Sequence, residues 1–282
     1  MKKKFLSIML VSVLSAALLA GCGTKSKTGS EGGNAQSTVT QAPEATKAPA
    51  ATEAASGSEG SGDIIVGTEA GFAPYEYLEG DQVVGVDMDI AQAIADSLGK
   101  KLVIKNMDFD GALMAVQNGT IDFVAAGVSI NEERKKVMDF SDPYVDSTEV
   151  VVVNKAKPAV TKVDADGLAG KVIGVQQGNI ADFYVEDNIK AKETKRYTKF
   201  AQAAEDLKNQ KIDCIVMDQY PAEELVKANT DLVILDGTLF QDQYAIAVKK
   251  GNTELLNKIN AVIKDLKDQG KVEEFYGKHT GK

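Results

Sequence analysis

Short apolar runs alternate with amphipathic stretches from Asp63 onward. Ile90, Ile94 and Leu98 recur at four-residue spacing, which is typical of one face of a helix. The pattern predicts, in order, a strand, a helix, a strand, a helix and a strand: 64–67, 87–98, 102–105, 111–117 and 121–125. Because strands and helices alternate, we expect βαβ units built on a mostly parallel sheet.

A second series of the same kind follows Asp164. It comprises strands over 171–176, 196–199, 213–217 and 232–235, and helices over 179–186, 201–210 and 221–228. Two strongly β-prone segments, 149–154 and 244–249, flank this series, and two helices over 253–269 and 271–278 end the chain. The βαβ pattern therefore occurs twice, without obvious repetition of sequence.

The order of these elements predicts two lobes. If the last two helices pack on the first series, the chain leaves the first lobe near Val151 and returns near Ala245. We expect an α/β fold with a first lobe over 63–150, a second lobe over 151–245 and a return to the first lobe over 246–282. Two crossing strands would form a hinge beside a cleft. The stretch over 63–282 exceeds the most common domain size of about 100–150 residues, which agrees with two lobes.

The amino-terminal segment has the pattern of a secretory signal. Lysines at 2–4 precede a 16-residue apolar run over 5–20, which is short for a membrane span of roughly 20 residues. The run ends at Leu19-Ala20-Gly21-Cys22, which resembles the bacterial lipobox. A thiol at the cleavage point suits acylation, for instance by palmitate. We expect a lipoprotein signal peptide over 1–22 and a lipid on Cys22, so that the protein is held to the cell membrane outside the cytoplasm. An uncleaved anchor with an incidental cysteine is the alternative.

The segment over 23–62 is predicted to be a disordered tether. Val39 is its only large apolar residue, and such a composition buries too little surface to fold. As a flexible coil its r.m.s. reach is roughly 35 Å. The folded part would therefore stay close to a partner in the membrane.

Charge and cysteine content exclude several classes of function. The formal net charge is −9, and removal of the lysines at 2–4 makes the chain more acidic, which argues against nucleic acid as a partner. Cys214 is the only cysteine besides Cys22, so a mature chain has no internal disulfide, and its apolar surroundings predict a buried residue. The acidic pairs at 87–89 and 108–110 lack the other ligands of a calcium loop, and we expect no metal and no cofactor.

Five ordered motifs carry a family resemblance. They are GTEAGFAPYEY over 67–77, VGVDMDI over 84–90, AGVSINEER over 126–134 continuing to DFSDPY over 139–144, GVQQG over 174–178, and DCIVMD over 213–218. Together they resemble the polar amino-acid solute-binding proteins of ABC transporters, family 3 of the bacterial extracellular solute-binding proteins. The resemblance covers 63–278. It implies a periplasmic-binding-protein-like fold, a free amino acid as ligand, a membrane permease as partner and a monomeric state.

An amino-acid zwitterion requires one cation and one anion in a closed cleft, because its two charges lose water there. Arg134 is the candidate cation. It lies in the first turn of a predicted helix capped by Asn131, where a cation opposes the helix dipole unless it shares an anion with the amides. Asp218 is the candidate anion. It follows a strand at the carboxyl end, where open α/β sheets bind ligands, and it also suits an N-cap. The resemblance assigns Asp218 to the ligand ammonium.

The remaining binding residues follow from the resemblance. Gly127 and Ser129 match positions where a backbone carbonyl takes the ammonium and a hydroxyl and an amide meet the ligand, and Gly178 and Asn179 match the second-lobe loop whose amides meet the carboxylate. Many relatives have Thr where this chain has Asn179, which keeps the backbone donor but has no hydroxyl for the contact that Thr makes. The rings of Phe72 and Phe109 are expected to sandwich the ligand side chain. The carboxylate of Glu69 is expected to set specificity. A carboxylate beside two aromatic rings favours basic or amide side chains.

Three alternatives stay open from the sequence. The first is an enzyme of the same architecture, such as a dehydratase of prephenate-like acids. We expect no enzyme, because the chain has no G-x-S-x-G motif and its one histidine, His279, lies near the carboxyl end. The second is a sensor ectodomain, which the sequence disfavours because no signalling module follows. The third is a carrier of cystine or of a broad range of polar amino acids.

Overall fold

The computed structural model describes residues 62–281. The predicted signal peptide with Cys22, and the predicted tether up to residue 61, lie outside the described residues. Within 62–281, no helix combines the length and the apolar character that crossing a membrane requires.

The chain forms two sheets with helices packed on them, and a small third sheet. The strands are β1 (Asp63–Thr68), β2 (Gly71–Phe72), β3 (Glu76–Glu79), β4 (Gln82–Val84), β5 (Lys101–Asn106), β6 (Phe123–Val124), β7 (Met138–Phe140), β8 (Val145–Asn154), β9 (Val172–Gln176), β10 (Glu193–Tyr197), β11 (Cys214–Asp218), β12 (Leu232–Ile234), β13 (Phe240–Tyr244) and β14 (Ala247–Lys249). The helices are α1 (Val86–Ser97), α2 (Phe109–Asn118), α3 (Glu132–Lys135), α4 (Ala165–Leu168), α5 (Ile180–Asn188), α6 (Phe200–Lys208), α7 (Gln219–Ala228), α8 (Thr253–Asp268) and α9 (Lys271–Thr280).

The first lobe is built on a five-stranded sheet in the order β5-β1-β6-β14-β7. β1 pairs in parallel with β5 and β6, whereas β14 runs antiparallel to β6 and β7. The helices α8 and α9 contact α1, so the carboxyl-terminal pair packs on this lobe. A three-stranded hairpin sheet, β2-β3-β4, lies between β1 and α1 in the chain and was not predicted.

The second lobe is built on the sheet β10-β9-β11-β8-β12, with β13 paired to β8. β9 pairs in parallel with β10 and β11, and β8 runs antiparallel to β11, β12 and β13. The predicted two-lobed α/β fold is confirmed. The sheets are mixed rather than mostly parallel, because the strands that pass between the lobes run against their neighbours.

The passages between the lobes lie at 141–144 and at 245–246. The whole of β8, from Val145 onward, belongs to the second sheet, six residues before the boundary predicted at 150/151. β8 is this long because its first half pairs with β13, while its second half pairs with β11 and β12. Valines along β8 alternate between two buried clusters: Val150 and Val152 face one, and Val151 and Val153 face the other. Burial on both faces explains the continuous apolar run.

Candidate functional site

Most of the predicted binding residues lie where strands of the two sheets end. Glu69 follows β1, Phe109 follows β5, Gly127 follows β6, Gly178 follows β9 and Asp218 ends β11. Because the strands β1, β5, β6, β9 and β11 are paired in parallel within each lobe, their carboxyl ends meet at one edge of each sheet. Ligands of open α/β sheets bind at such edges.

The two edges face each other, and four polar contacts join them. Arg134 Nη2 donates to the carbonyl of Gly178 at 2.7 Å, and Gln177 Nε2 donates to Asp110 Oδ2 at 2.6 Å. The Glu69 carboxylate interacts with two side chains of the second lobe. Gln176 Nε2 donates to Glu69 Oε2 at 3.1 Å, and Lys199 Nζ lies 3.2 Å from Glu69 Oε1. The described structure is therefore a closed arrangement of the lobes.

Arg134 makes one of these contacts between the lobes. Asn131 caps α3, as predicted, and accepts the Arg134 backbone amide at 2.7 Å. The guanidinium donates through Nη1 to the carbonyl of Ser129 at 2.5 Å and reaches Gly178 in the other lobe. Its Nε has no hydrogen-bond partner among residues 62–281. The residue is 5 % exposed, so this N–H group is held out of water and available to an anion.

Two aromatic rings flank the guanidinium. The ring centroids of Phe109, from the first lobe, and Phe183, from the second, lie 5.5 Å and 5.8 Å from Arg134 Cζ. Burial lowers the pKa of Arg134 to about 10, and the charge of Asp242 acts in the opposite direction. The group therefore remains protonated near neutral pH. The rings and the buried cation form a site suited to a carboxylate.

Asp218 lies in a cluster of three acidic side chains. Oxygen atoms of Glu149, Asp218 and Asp242 lie within 4.8 Å of one another. The Ser147 and Tyr244 hydroxyls both donate to Asp218 Oδ2. Asp218 Oδ1 and Glu149 Oε2 have no hydrogen-bond partner within the described part of the chain. Such a group of oxygen atoms suits a cation with several N–H donors.

Burial raises the pKa of all three carboxyl groups. The pKa values of Glu149 and Asp218 lie well above their usual range because both groups are buried and each lies near other acidic charges. Asp242 is affected less, since the Ser129 and Ser147 hydroxyls and the Arg134 charge lower its pKa while burial raises it. Three acidic groups beside one guanidinium leave the site short of positive charge. A bound cation would favour their ionised forms.

Gly127 is positioned by a residue of α1. Its amide donates to Asp87 Oδ2 at 2.8 Å, and its φ of +54° lies in the left-handed region that favours glycine. A Cβ atom at this position would lie 2.8 Å from a ring carbon of Phe72 and 3.2 Å from the ring of Tyr244. The glycine therefore allows Phe72 and Tyr244 to approach the backbone of the site.

Gly178 and Asn179 are engaged with other residues of the protein in this form. The Gly178 amide donates to Asp182 Oδ2 at 3.1 Å, and its carbonyl accepts Arg134. Asn179 caps α5, since its Oδ1 accepts the Ala181 amide at 3.3 Å, and its Nδ2 donates to Gln176 at 3.3 Å. The asparagine at this position thus supports the loop.

Phe72 and Glu69 both contact residues of the second lobe. The Phe72 ring stacks on Phe200 of the second lobe, with centroids 6.0 Å apart, and lies 6.4 Å from Tyr244. Glu69 is 1 % exposed, and burial raises its pKa although Lys199 acts in the opposite direction. The structure pairs Phe72 with Phe200, and Phe109 with Arg134, so the two predicted rings have different partners.

Four polar residues of the site were missed by the sequence analysis: Glu149, Gln176, Lys199 and Asp242. Glu149 had a detectable signal, because it is a carboxylate directly before a run of four valines in a predicted strand. Asp242, in β13, alternates with exposed residues and has the pattern of a surface strand. Gln176 and Lys199 acquire their roles only through contacts with the other lobe, which no local pattern reports.

Three surface cavities lie near the strands that pass between the lobes, and none of them is lined by a predicted binding residue; one, of about 380 Å³, is lined by residues of β8 and β13. Another, of about 450 Å³, is lined by residues from both sides of the cleft, among them Asn131, Ile180 and Asp242. The third, of about 360 Å³, is lined by Tyr75, Tyr220 and other residues. We place the candidate site between Arg134 and the acidic cluster, because Arg134 Nε, Glu149 Oε2 and Asp218 Oδ1 are buried there without a partner among the described residues.

Comparison with known proteins shows the family of the chain. Residues 64–282 match the family model of the bacterial extracellular solute-binding proteins, family 3. The chain is 33 % identical over 228 residues to the arginine-binding extracellular protein ArtP of Bacillus subtilis, covering 78 % of this chain and 87 % of that protein. It is 31 % identical over 222 residues to the L-cystine-binding protein TcyJ of Escherichia coli, covering 78 % and 83 %.

A solved structure shows the same architecture. The amino acid ABC transporter substrate-binding protein AbpA of Streptococcus pneumoniae, bound to L-arginine, superposes with a TM-score of 0.73 at 32 % identity, covering 77 % of this chain and 94 % of that one. This chain therefore belongs to family 3 of the bacterial extracellular solute-binding proteins.

Proposed function

We propose that this family 3 solute-binding protein captures a free amino acid outside the cytoplasm and delivers it to the permease of an ABC transporter. The observation that carries the proposal is that Arg134 and Asp218 are both buried, and that Asp242, whose charge acts on Arg134, has an oxygen atom within 4.8 Å of one of Asp218. Arg134 and Asp218 each have a polar atom without a partner among the described residues, Nε and Oδ1 respectively. A zwitterion supplies the carboxylate and the ammonium that these two atoms lack.

The charge distribution favours one orientation of the ligand. Its α-carboxylate would lie at the Arg134 guanidinium, between the rings of Phe109 and Phe183. Its ammonium would lie at Asp218, close to Glu149 and Asp242. This arrangement gives the guanidinium an anion and the acidic cluster a cation, and so it offsets the desolvation of both.

Ligand binding would act by closing the lobes. Arg134, Gln176, Gln177 and Lys199 each make a contact from one lobe to the other in the closed arrangement. A ligand held by both lobes shifts the population toward the closed form, which then docks on the permease. The protein would act as a monomer tethered through a lipid on Cys22, and the segment over 23–62 would give it reach.

The side chain of the ligand would extend toward Glu69. A buried carboxylate with the amide of Gln176 beside it favours a basic or amide side chain. The similarity to arginine-binding relatives supports the basic class, and the similarity to a cystine-binding relative keeps cystine as the second candidate.

A thermal-shift screen against the twenty amino acids and cystine, followed by calorimetry on the compounds that bind, tests the function. We expect at least one amino acid to bind saturably and to be recovered unchanged. The Arg134→Ala variant should lose this binding, because it removes the cation for the carboxylate. Lys136→Ala is the matched control, since Lys136 is an exposed cation two residues away that pairs with Glu133.

Two results would contradict the proposal. Retained affinity in Arg134→Ala would show that the carboxylate is bound elsewhere. Conversion of a candidate acid to a product by the purified protein would favour the dehydratase alternative. Circular dichroism and the melting temperature of the unliganded variant show whether a loss of binding reflects the site or the fold.

A further inference from the structure

Lys199 and Glu69 form an ion pair across the cleft. Lys199 follows β10 at the beginning of α6 in the second lobe, and Glu69 follows β1 in the first. Their charged atoms lie 3.2 Å apart, with the Glu69 side chain 2 % exposed and the Lys199 side chain 44 % exposed. The pair therefore joins a buried carboxylate to a cation that also reaches solvent.

The surroundings of Glu69 make the pair part of the ligand site. Gln176 Nε2 donates hydrogen bonds to the other carboxylate oxygen of Glu69, at 3.1 Å, and to the carbonyl of Thr198, at 3.2 Å. These bonds fix the carboxylate beside the loop that carries Lys199. Phe72 and Phe200 stack across the lobes next to this group. The end of the site where a ligand side chain would terminate thus contains one negative and one positive charge.

This pairing changes what the side-chain end selects. A buried carboxylate without a cation would attract a basic side chain strongly, since burial of the lone charge is costly. With Lys199 in place the carboxylate already has a cation, and a basic side chain must displace the ammonium or lie beside it. A neutral polar side chain neither displaces the Lys199 ammonium nor places a second positive charge beside it, because it can hydrogen-bond to the Glu69 oxygens without forming an ion pair.

We infer that Lys199 is a specificity-determining residue that selects against a second positive charge on the ligand, so that the site takes amino acids with a neutral polar side chain in preference to basic ones. This inference rests on the proposed function and narrows its substrate class. Glu69 alone would accept ligands with either a basic or an amide side chain, whereas Lys199 disfavours the basic ones.

Arginine and citrulline test the inference, because their side chains have the same length and only the guanidinium of arginine is charged. We expect the ratio of Kd for arginine to Kd for citrulline, measured by calorimetry at low ionic strength, to fall about tenfold in Lys199→Ala. Lys199→Arg should keep the ratio of the parent protein. Lys192→Ala is the control for net charge, since Lys192 is an exposed cation of the same lobe, and it should leave the ratio unchanged.

Each outcome decides for or against the role of Lys199. A ratio that moves less than twofold in Lys199→Ala, while the parent protein binds either compound, overturns that role and leaves amino-acid capture standing. An equal fall in Lys192→Ala would assign the effect to net charge and also overturn it. If the parent protein binds no amino acid at all, the proposed function fails and the inference fails with it.

Discussion

Replacing Asp218 with Asn should change stability and affinity in opposite directions. The substitution keeps the shape of the side chain and leaves an amide beside the Ser147 and Tyr244 hydroxyls, which can accept as well as donate. It removes one negative charge from the cluster that Asp218 forms with Glu149 and Asp242. The unliganded protein loses an unfavourable buried charge, whereas the complex loses the counter-charge of the ligand ammonium.

The stability change follows from the pKa of Asp218, which burial raises well above its usual range. A carboxyl group whose pKa is higher in the folded than in the unfolded chain contributes stability below the unfolded pKa and loses it as pH rises through the folded pKa. The amide of the Asp218→Asn variant does not ionise, so the variant escapes this loss. The melting temperature of the unliganded variant at pH 7 should therefore equal or exceed that of the parent.

The affinity change follows from the buried charge pair. Removing one partner of a desolvated, hydrogen-bonded pair costs about 2–5 kcal/mol in binding. Because Glu149 and Asp242 remain in the cluster, we expect the lower part of this range, about 2–4 kcal/mol, or roughly a 30- to 1,000-fold rise in Kd. In the parent protein the affinity should also fall as pH is lowered, because protonation of Asp218 removes the same charge.

The assay combines calorimetry with thermal melts between pH 5 and pH 8, using the amino acid that gives the largest shift in the screen. Asp236→Asn is the control, because Asp236 is an acidic residue of the same lobe that lies outside the cluster. Unchanged affinity in Asp218→Asn would refute the assignment of the ammonium to Asp218. A variant whose unliganded melting temperature falls at pH 7 together with its affinity would refute the electrostatic reasoning, since Asp218 would then be stabilising.

Three further predictions concern other parts of the chain. Gly127→Ala should lower the free energy of unfolding in urea more than Gly99→Ala does. Both glycines have positive φ, a conformation that costs alanine about 1–2 kcal/mol, but only the substitution at Gly127 also places a Cβ atom against Phe72. Burial raises the pKa of Asp87 to about 6, so this group alone should remove about 2–3 kcal/mol of unfolding free energy between pH 4 and pH 7, and Asp87→Asn should lessen the pH dependence by that amount. Cys22→Ala should move the protein from the membrane fraction to the soluble fraction on cell fractionation. The first prediction is contradicted if the two glycine variants lose equal stability. The second is contradicted if Asp87→Asn leaves the pH dependence of stability unchanged, and the third if Cys22→Ala stays in the membrane fraction.

The sequence predicted the elements that have a strong period. Ile259 and Ile263 face the core at the four-residue spacing of α8, and Ile90 and Ile94 do so in α1. Such stripes are recognisable because one face of each helix is buried. The hairpin sheet β2-β3-β4 was missed because its strands are two to four residues long, too short for an alternation to appear.

The binding site divides in the same way. Asp218 was predictable because it ends an apolar strand, which places it at the carboxyl edge of a sheet whatever the other lobe does. Lys199 was not predictable, because its neighbours are typical of a strand end followed by a helix. Its partner Glu69 lies on a different lobe, and only closure brings the two side chains together.

The excess of acidic groups explains how ligand and closure can be coupled. The closed form places Glu149, Asp218 and Asp242 within a few ångströms of one another in a buried site, where ionised carboxylates without cations are unfavourable. Without a ligand, we expect closure to favour the protonated forms of the acidic groups, because burial raises their pKa values. An ammonium removes this requirement in the closed form and has a smaller effect in an open form, where water already solvates the acids. A ligand shifts an equilibrium only by its differential affinity for the two states, and the acidic cluster is a source of that difference.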